Sequence, residues 1–292
     1  MDLTAFAADV GCDDPVTVVG GGTQWDVGGE VDPSARRVRA PVGVAAYDPA
    51  EMTVRCGAGT TVADLDGVLA EHGQTVALPD WHGATVGGVL AVGRSGVRRL
   101  GYGPVRDVLL EARYVSAAGT VVKAGGPTVK NVSGFDLCRM LVGSLGTLGF
   151  LAEAVLRVRP LPIASQWFTS NADPFALFRR LHHPISLLWD GTTTWVLLEG
   201  HPDDIDGQSR THALDPADGP PPLAAGRRSL RPSALPSLAG ARGFVAEIGV
   251  GVVHTDGQNP DRGAEPDRID LHDRLKAAFD PTNRLNPGRR VA

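Results

Sequence analysis

Glycine is the residue whose placement in this chain could do chemistry. Four small-residue clusters stand out: Gly20-Gly21-Gly22-Thr23, Thr85-Val86-Gly87-Gly88, Gly93-Arg94-Ser95-Gly96 and Gly143-Ser144-Leu145-Gly146-Thr147-Leu148-Gly149. Without a Cβ, the main chain can come within hydrogen-bonding distance of a ligand and adopt positive φ, so that backbone amides turn toward an anion. Any one cluster alone reads as a turn. Their order along the chain, with apolar segments between them, points instead to a backbone cradle.

The common nucleotide cradles do not fit. Gly-x-Gly pairs begin at Gly57, Gly101 and Gly249, but the third glycine of a dinucleotide loop is replaced by Val62, Arg106 and His254. Lys123, Lys130 and Lys276, the only lysines, each follow an apolar residue, so the Gly-Lys-Ser/Thr of a Walker loop is missing.

The elements that must position such a cradle follow from periodicity. Val16–Val19 reads as a short strand entering the first cluster, Val38–Tyr47 as a strand region interrupted by Pro41, and Met52–Cys56 as a half-buried strand. Thr61 is an N-cap with Asp64 at the N3 position; Val62, Leu65, Val68 and Leu69 then form one apolar face before Gly73. Val105–Val122 predicts two strands joined at Ala117-Ala118-Gly119, Asp136–Val142 a helix, and Phe150–Val158 a strand closed by prolines. From His201 to Pro236 the composition shifts to Pro, Asp, Gly and Ala, which predicts a loop or partly disordered excursion. Phe244–Val253 resumes a strand pattern, Gln258–Pro266 is polar, and Ile269–Phe279 has helical spacing.

At 292 residues the chain can bury a sizeable core, and its net charge of -5, without a run of like charges, argues against a nucleic-acid surface. The three cysteines, Cys12, Cys56 and Cys138, are too scattered for a disulfide framework, an iron–sulfur cluster or a structural zinc site, which implies a reducing compartment. Met1 is followed at once by Asp2 with no basic n-region and apolar stretch, so no signal peptide is expected; the most apolar stretch, Met140–Leu156, carries Glu153 and several glycines, so no membrane span is expected, and the location read from this is cytoplasmic.

The order of motifs resembles the vanillyl-alcohol-oxidase (PCMH-type) FAD-binding proteins, and within them the FAD-binding subunits of bacterial glycolate oxidases. The segments that carry the likeness are VVGGGTQWDVGG, YDPAEMTVRCGAGTTVADLDGVLAEHGQ, LPDWHGATVGGVLAVGRSGVRRLGYGPVRDVLLEARYV, VKNVSGFDLCRMLVGSLGTLGFLAEAVLRVRP and FDPTNRLNPGR. The resemblance implies an α+β fold. Residues 1–160 would be a PCMH-type FAD-binding domain of two α+β subdomains, 161–270 a short, reduced α+β substrate or cap domain, and 271–292 a C-terminal helix and tail returning to the flavin.

It also implies roles. Gly21, Gly22, Thr23, Gln24 and Trp25 would hold the FAD pyrophosphate. Pro79, Thr85, Gly87 and Gly88 would pass along the ribityl chain and flavin, with Gly93, Ser95 and Gly96 in the next turn. Gly143, Ser144, Gly146, Thr147 and Gly149 would lie on the other side of the cofactor, and Val155 beside the adenine. Asn286 would approach the isoalloxazine, although a helix-to-loop cap explains it equally well. Lys130 and Asn131 match a family pair. Thr23 and Gln24 stand in the pyrophosphate loop, where no histidine or cysteine offers a covalent attachment, so the FAD is expected to be noncovalent.

Catalysis is less legible. The family's His-x-Gly-Asp-Gly-Asn type motif is reduced to His254 in Gly-Val-Val-His-Thr-Asp, which makes no metal site, and His82 beside Trp81 is the other candidate base. His182, His183 and His212 read as surface residues. The functions left open are an FAD-dependent oxidoreductase component oxidising a 2-hydroxy acid, alone or with a homologous flavin subunit and an iron–sulfur subunit; a noncatalytic assembly subunit with weak or no FAD, suggested by Phe135 where the family often has tyrosine; and a stand-alone alcohol or sugar oxidase.

Overall fold

The computed structural model describes residues 1–79, 81–126, 136–256 and 266–290. Lys130, Asn131, Phe135 and the polar loop expected from Gln258 lie outside them. The chain divides into two compact units: Met1–Ser95 with Pro104–Leu161 and Ala264–Ala292, and Gly96–Gly103 with Pro162–Gly263.

The first unit contains two sheets. Strands β1 (Val16–Val18) and β2 (Arg36–Val38) pair in parallel. Strands β3 (Val44–Asp48), β4 (Thr53–Gly57), β5 (Gln74–Val76), β6 (Leu109–Val115), β7 (Val121–Gly125) and β8 (Phe150–Pro160) form an antiparallel sheet in the order β3-β4-β8-β6-β7, with β5 also on β8. Strand β8 lies inside this sheet because its sequence allows it. FLAEAVL is buried from end to end, and its charged Glu153 finds cationic partners.

Helix α1 is Thr4–Val10, α2 Val62–Ala70 and α3 Val86–Val92. Thr61 caps α2 by accepting from the Asp64 N–H at 3.0 Å, which supplies one of the donors a helix start leaves open. Val62, Leu65 and Leu69 of α2 are buried against the main core, but Val68 is 36% exposed and turns away from the expected apolar face. Thr85 caps α3 in the same manner, accepting from Gly88 N–H at 3.2 Å, and Gly93 ends it at φ +68°. The helix expected near Asp136 runs Leu137–Leu141 with Asp136 as its cap.

The second unit is one antiparallel sheet of β9 (Ala164–Ser170), β10 (Ser186–Trp189), β11 (Thr194–Gly200), β12 (Asp215–Ala217), β13 (Gly226–Ser229), β14 (Phe244–Glu247) and β15 (Val252–Thr255), in the order β12-β9-β11-β10-β14-β15-β13. The sequence expectation fails here in two places. Residues 201–236 hold the helix Pro202–Thr211 and two strands rather than an unstructured excursion, because Ile205, Leu214 and Leu235 are buried in this unit's core. Their apolar residues are spaced too widely among Pro, Asp and Gly to register as periodic. The single strand read over Phe244–Val253 is a hairpin, β14 turning into β15 through Gly249 and Gly251, both at positive φ.

Cys56 and Cys138 are buried, and burial pushes their thiols up to about 12 and about 11 respectively, while Cys12 is exposed. Thiolate is the reactive form. Titration of the native protein with a thiol reagent at neutral pH should therefore modify Cys12 alone, and all three cysteines only after denaturation. Fast modification of more than one in the folded state would contradict this packing.

Candidate functional site

Within the first unit, the loop after β1, the stretch around Trp81–Val92, the turn after the helix Leu137–Leu141 and the C-terminal segment line a cleft open to solvent. Its walls are made largely of backbone and apolar side chains.

Gly20, Gly21, Gly22, Thr23, Gln24 and Trp25 line one wall, and two of these glycines do different work. A Cβ at Gly21 would lie 1.9 Å from the Gly83 carbonyl oxygen, so this residue lets two loops touch. Gly22 has φ +71° and a Cβ there would meet nothing within 4 Å, so its backbone faces open space. Gln24 has a buried Oε1 with no partner among the described residues. An orphaned acceptor of this kind costs free energy unless a ligand or water donates to it.

Thr85, Gly87, Gly88, Ser144, Gly146, Gly149 and Asn286 also line the cleft. Asn286 is a clip. Its Oδ1 accepts from Thr17 Oγ1 at 2.7 Å and Val18 N–H at 3.2 Å, and its Nδ2 donates to the Leu145 carbonyl at 2.6 Å. The side chain thereby ties the C-terminal segment to β1 and to the turn after Ser144, holding three walls in register.

The remaining residues named from the sequence stand off the cleft wall. Ser95 is buried and accepts from Val105 N–H at 3.1 Å. Thr147 donates to the Ser144 carbonyl at 2.7 Å. Val155 is 4% exposed inside β8, opposite Arg55 and Glu111. Gly93 and Gly143 serve each other, since a Cβ on Gly93 would lie 2.8 Å from the Gly143 Cα. Pro79 and Gly96 are not part of the lining either, and Gly96 belongs to the second unit. Gly93, Ser95, Gly143 and Thr147 shape turns of the first unit beside the wall. Sequence reading missed several wall residues: Thr17, Ala58, Trp81, Leu145 and Arg289. Only Arg289, in the Pro-Gly-Arg of the tail, carried a visible signal.

His82 is exposed at φ +30°. His254 is 8% exposed on β15 of the second unit, where its Nε2 lies 2.9 Å from Glu247 Oε1. Arg227 Nη2 approaches the same oxygen at 3.8 Å, and Glu247 Oε2 is buried without a hydrogen-bond partner among the described residues.

Residues 6–125 match the family model of the FAD binding domain, and residues 244–289 that of the C-terminal domain of FAD linked oxidases. The chain therefore belongs to the FAD-linked oxidase superfamily. It is 37% identical over 154 residues to glycolate oxidase subunit GlcE of Escherichia coli (strain K12), an alignment covering 52% of this chain and 44% of that one. It is 42% identical over 106 residues to the D-lactate dehydrogenase of Archaeoglobus fulgidus, covering 36% of this chain and 24% of that one. The chain thus spans less than half the length of either relative. An alkyldihydroxyacetonephosphate synthase structure shares the fold, with a TM-score of 0.68 at 16% identity, over 98% of this chain and 73% of that one.

FAD is the cofactor this family implies. The cleft fits it in three respects: the backbone of Gly22 faces open space, Gln24 Oε1 is an orphaned acceptor for a hydroxyl or N–H of a dinucleotide, and no described lining residue is a carboxylate that would repel phosphate. Among the described residues, no helix is long and apolar enough to cross a membrane.

Proposed function

We propose that this chain is the FAD-carrying component of a cytoplasmic, glycolate-oxidase-like enzyme that oxidises 2-hydroxy acids. The observation that carries the reading is a glycine-walled cleft, without a carboxylate among its described lining residues, in a chain matched near both ends by FAD-linked oxidase domains. Further support comes from relatives that are named glycolate oxidase subunits and D-lactate dehydrogenases. In this reading Gly21, Gly22, Thr23, Gln24 and Trp25 hold the diphosphate, and Thr85, Gly87, Gly88, Ser144, Gly146 and Gly149 flank the rest of the cofactor. The FAD is noncovalent and, when bound, supplies a two-electron acceptor for the hydride on the alcohol carbon.

His254 and His82 are the candidate bases, and His254 is held by Glu247 within the second unit. With Nε2 fixed on Glu247 Oε1, the nitrogen left to take a proton is Nδ1. A homologous flavin subunit and an iron–sulfur subunit complete the system, since the cysteines here are too far apart in sequence to ligate a cluster. A second reading, an assembly subunit with weak or no FAD, draws support from Asn286, whose amide is taken up by protein partners.

Denaturing the purified protein and identifying the small molecule released separates the two. Released FAD, followed by bleaching of the bound flavin on addition of glycolate or D-lactate with co-purified partners, supports the enzyme reading. In that assay His254→Asn should slow bleaching by about 100-fold or more while FAD stays bound. A folded, colourless protein that takes up no added FAD replaces the enzyme with the assembly subunit.

A further inference from the structure

Among the described residues, the cleft wall carries one ionisable side chain, Arg289; every other described lining residue is backbone-presenting glycine, apolar, or neutral and polar. The chain around it is net negative, at -5. A lone cation on the wall of a cleft in an acidic protein marks where an anion is met.

Arg289 is also built in. Its Nη1 donates to the Val27 carbonyl at 2.6 Å and to that of Gly29, and its backbone N–H donates to the Asn286 carbonyl at 3.1 Å. Its Cζ stands 4.7 Å from the centre of the Trp25 ring. These bonds fasten the guanidinium to the segment that continues the Gly20–Trp25 run, so its position is defined before any ligand arrives. Among the described residues, no hydrogen bond uses its Nε or Nη2. Desolvation pulls the guanidinium below the ordinary arginine value, and nearby Asp26, itself exposed, only partly offsets it. A partly buried cation held in this way gains from a counter-anion that reaches it from the cleft.

We propose that Arg289, latched by Trp25 and the carbonyls of Val27 and Gly29, supplies the fixed positive charge for the diphosphate of the bound dinucleotide, alongside the backbone amides. This rests on the reading that the cleft takes FAD. It adds that the diphosphate is recognised by a charge from the C-terminal segment as well as by dipoles of the loop after β1, so that FAD affinity depends on salt through this residue.

The test is FAD titration of the full-length apoprotein, wild type, Arg289→Lys and Arg289→Gln, at low and high ionic strength, with circular dichroism to verify folding. The expected result is that wild-type affinity falls with salt and that Arg289→Gln binds FAD about tenfold or more weakly at low salt with a flattened salt dependence. Arg289→Lys keeps the charge and should keep the salt dependence. Equal weakening of Arg289→Gln at every salt concentration, with the wild-type slope retained, would mean that the residue only braces the loop, and would overturn the proposal. Unchanged affinity in Arg289→Gln overturns it as well. A wild-type protein that takes up no FAD removes the cofactor reading itself and this inference with it.

Discussion

A Gly22→Leu protein is expected to fold and to lose its FAD. The positive φ of +71° costs a branched or bulky residue about 1–2 kcal/mol, which a unit of this size tolerates. No protein atom lies within 4 Å of the added Cβ, so the side chain displaces nothing in the fold and projects into open space at the cleft wall. Occupation of the space where loop amides would meet a phosphate should weaken FAD by about 100-fold, equivalent to ~2.7 kcal/mol. Retention of FAD after ultrafiltration, compared between folded wild type and variant, reads this directly, and equal retention would remove the first cluster from the cofactor site. Gly21→Ala is the contrasting case. Its Cβ would sit 1.9 Å from a backbone oxygen of Gly83, so that variant should lose stability and FAD together.

The second large effect lies away from the cleft. Glu111 and Glu153 are both buried on the β4-β8-β6 sheet, and Arg55 Nη1 bridges them, 2.9 Å from an oxygen of each. Arg113 and Lys123 stand farther out on the same cluster, at 3.6 Å from Glu153 and 3.1 Å from Glu111. Arg55→Met keeps the volume and removes the bridge, leaving two desolvated carboxylates only partly compensated. The expected cost is about 3 kcal/mol, or roughly 6–12 °C in Tm.

The pH dependence has a definite sign. For Glu111, desolvation is the largest influence and raises its pKa, but the bonds from Lys123 and Arg55 together outweigh it, so the carboxyl titrates below the 4.5 of a free glutamate. A depressed carboxylate contributes stability above 4.5 and loses it as pH falls through the lower folded value. Without Arg55 the desolvation is opposed mainly by Lys123. The deficit of Arg55→Met should therefore be greatest at neutral pH and shrink in acid, where the stranded Glu111 carboxylate protonates. Thermal melts of both proteins between neutral pH and pH 4 read this, and a deficit independent of pH would assign the loss to packing rather than to charge.

The first unit was legible where local chemistry decides structure. Thr61 and Thr85 sit where a hydroxyl cap is worth most, and the apolar run of β8 admits few readings other than a buried strand. The glycine clusters announced a cradle, but sequence could not separate glycines that open onto the cleft, such as Gly22, from those that only let backbones touch, such as Gly93 and Gly143. That distinction depends on what lies across from each residue, and the partners come from far along the chain. Asn286 and Arg289 show the same limit. A cap and an approach to the flavin read equally well for Asn286, and Arg289 had no role read from it, because their partners Thr17, Trp25, Val27 and Leu145 are set only by the tertiary fold. The second unit was the least legible, since its core residues alternate with proline, aspartate and glycine, and strands such as Asp215–Ala217 are too short to show a period.

The clip at Asn286 also sets an order in time. As the chain leaves the ribosome, Thr17 and the carbonyl of Leu145 emerge long before the amide that joins them, and all of Pro162–Gly263 must be synthesised in between. The cleft acquires its last wall only when residue 286 is free of the exit tunnel. Cofactor capture is therefore a late event in the birth of this protein, and a nascent chain stalled within the second unit would be held in a state unable to close around FAD.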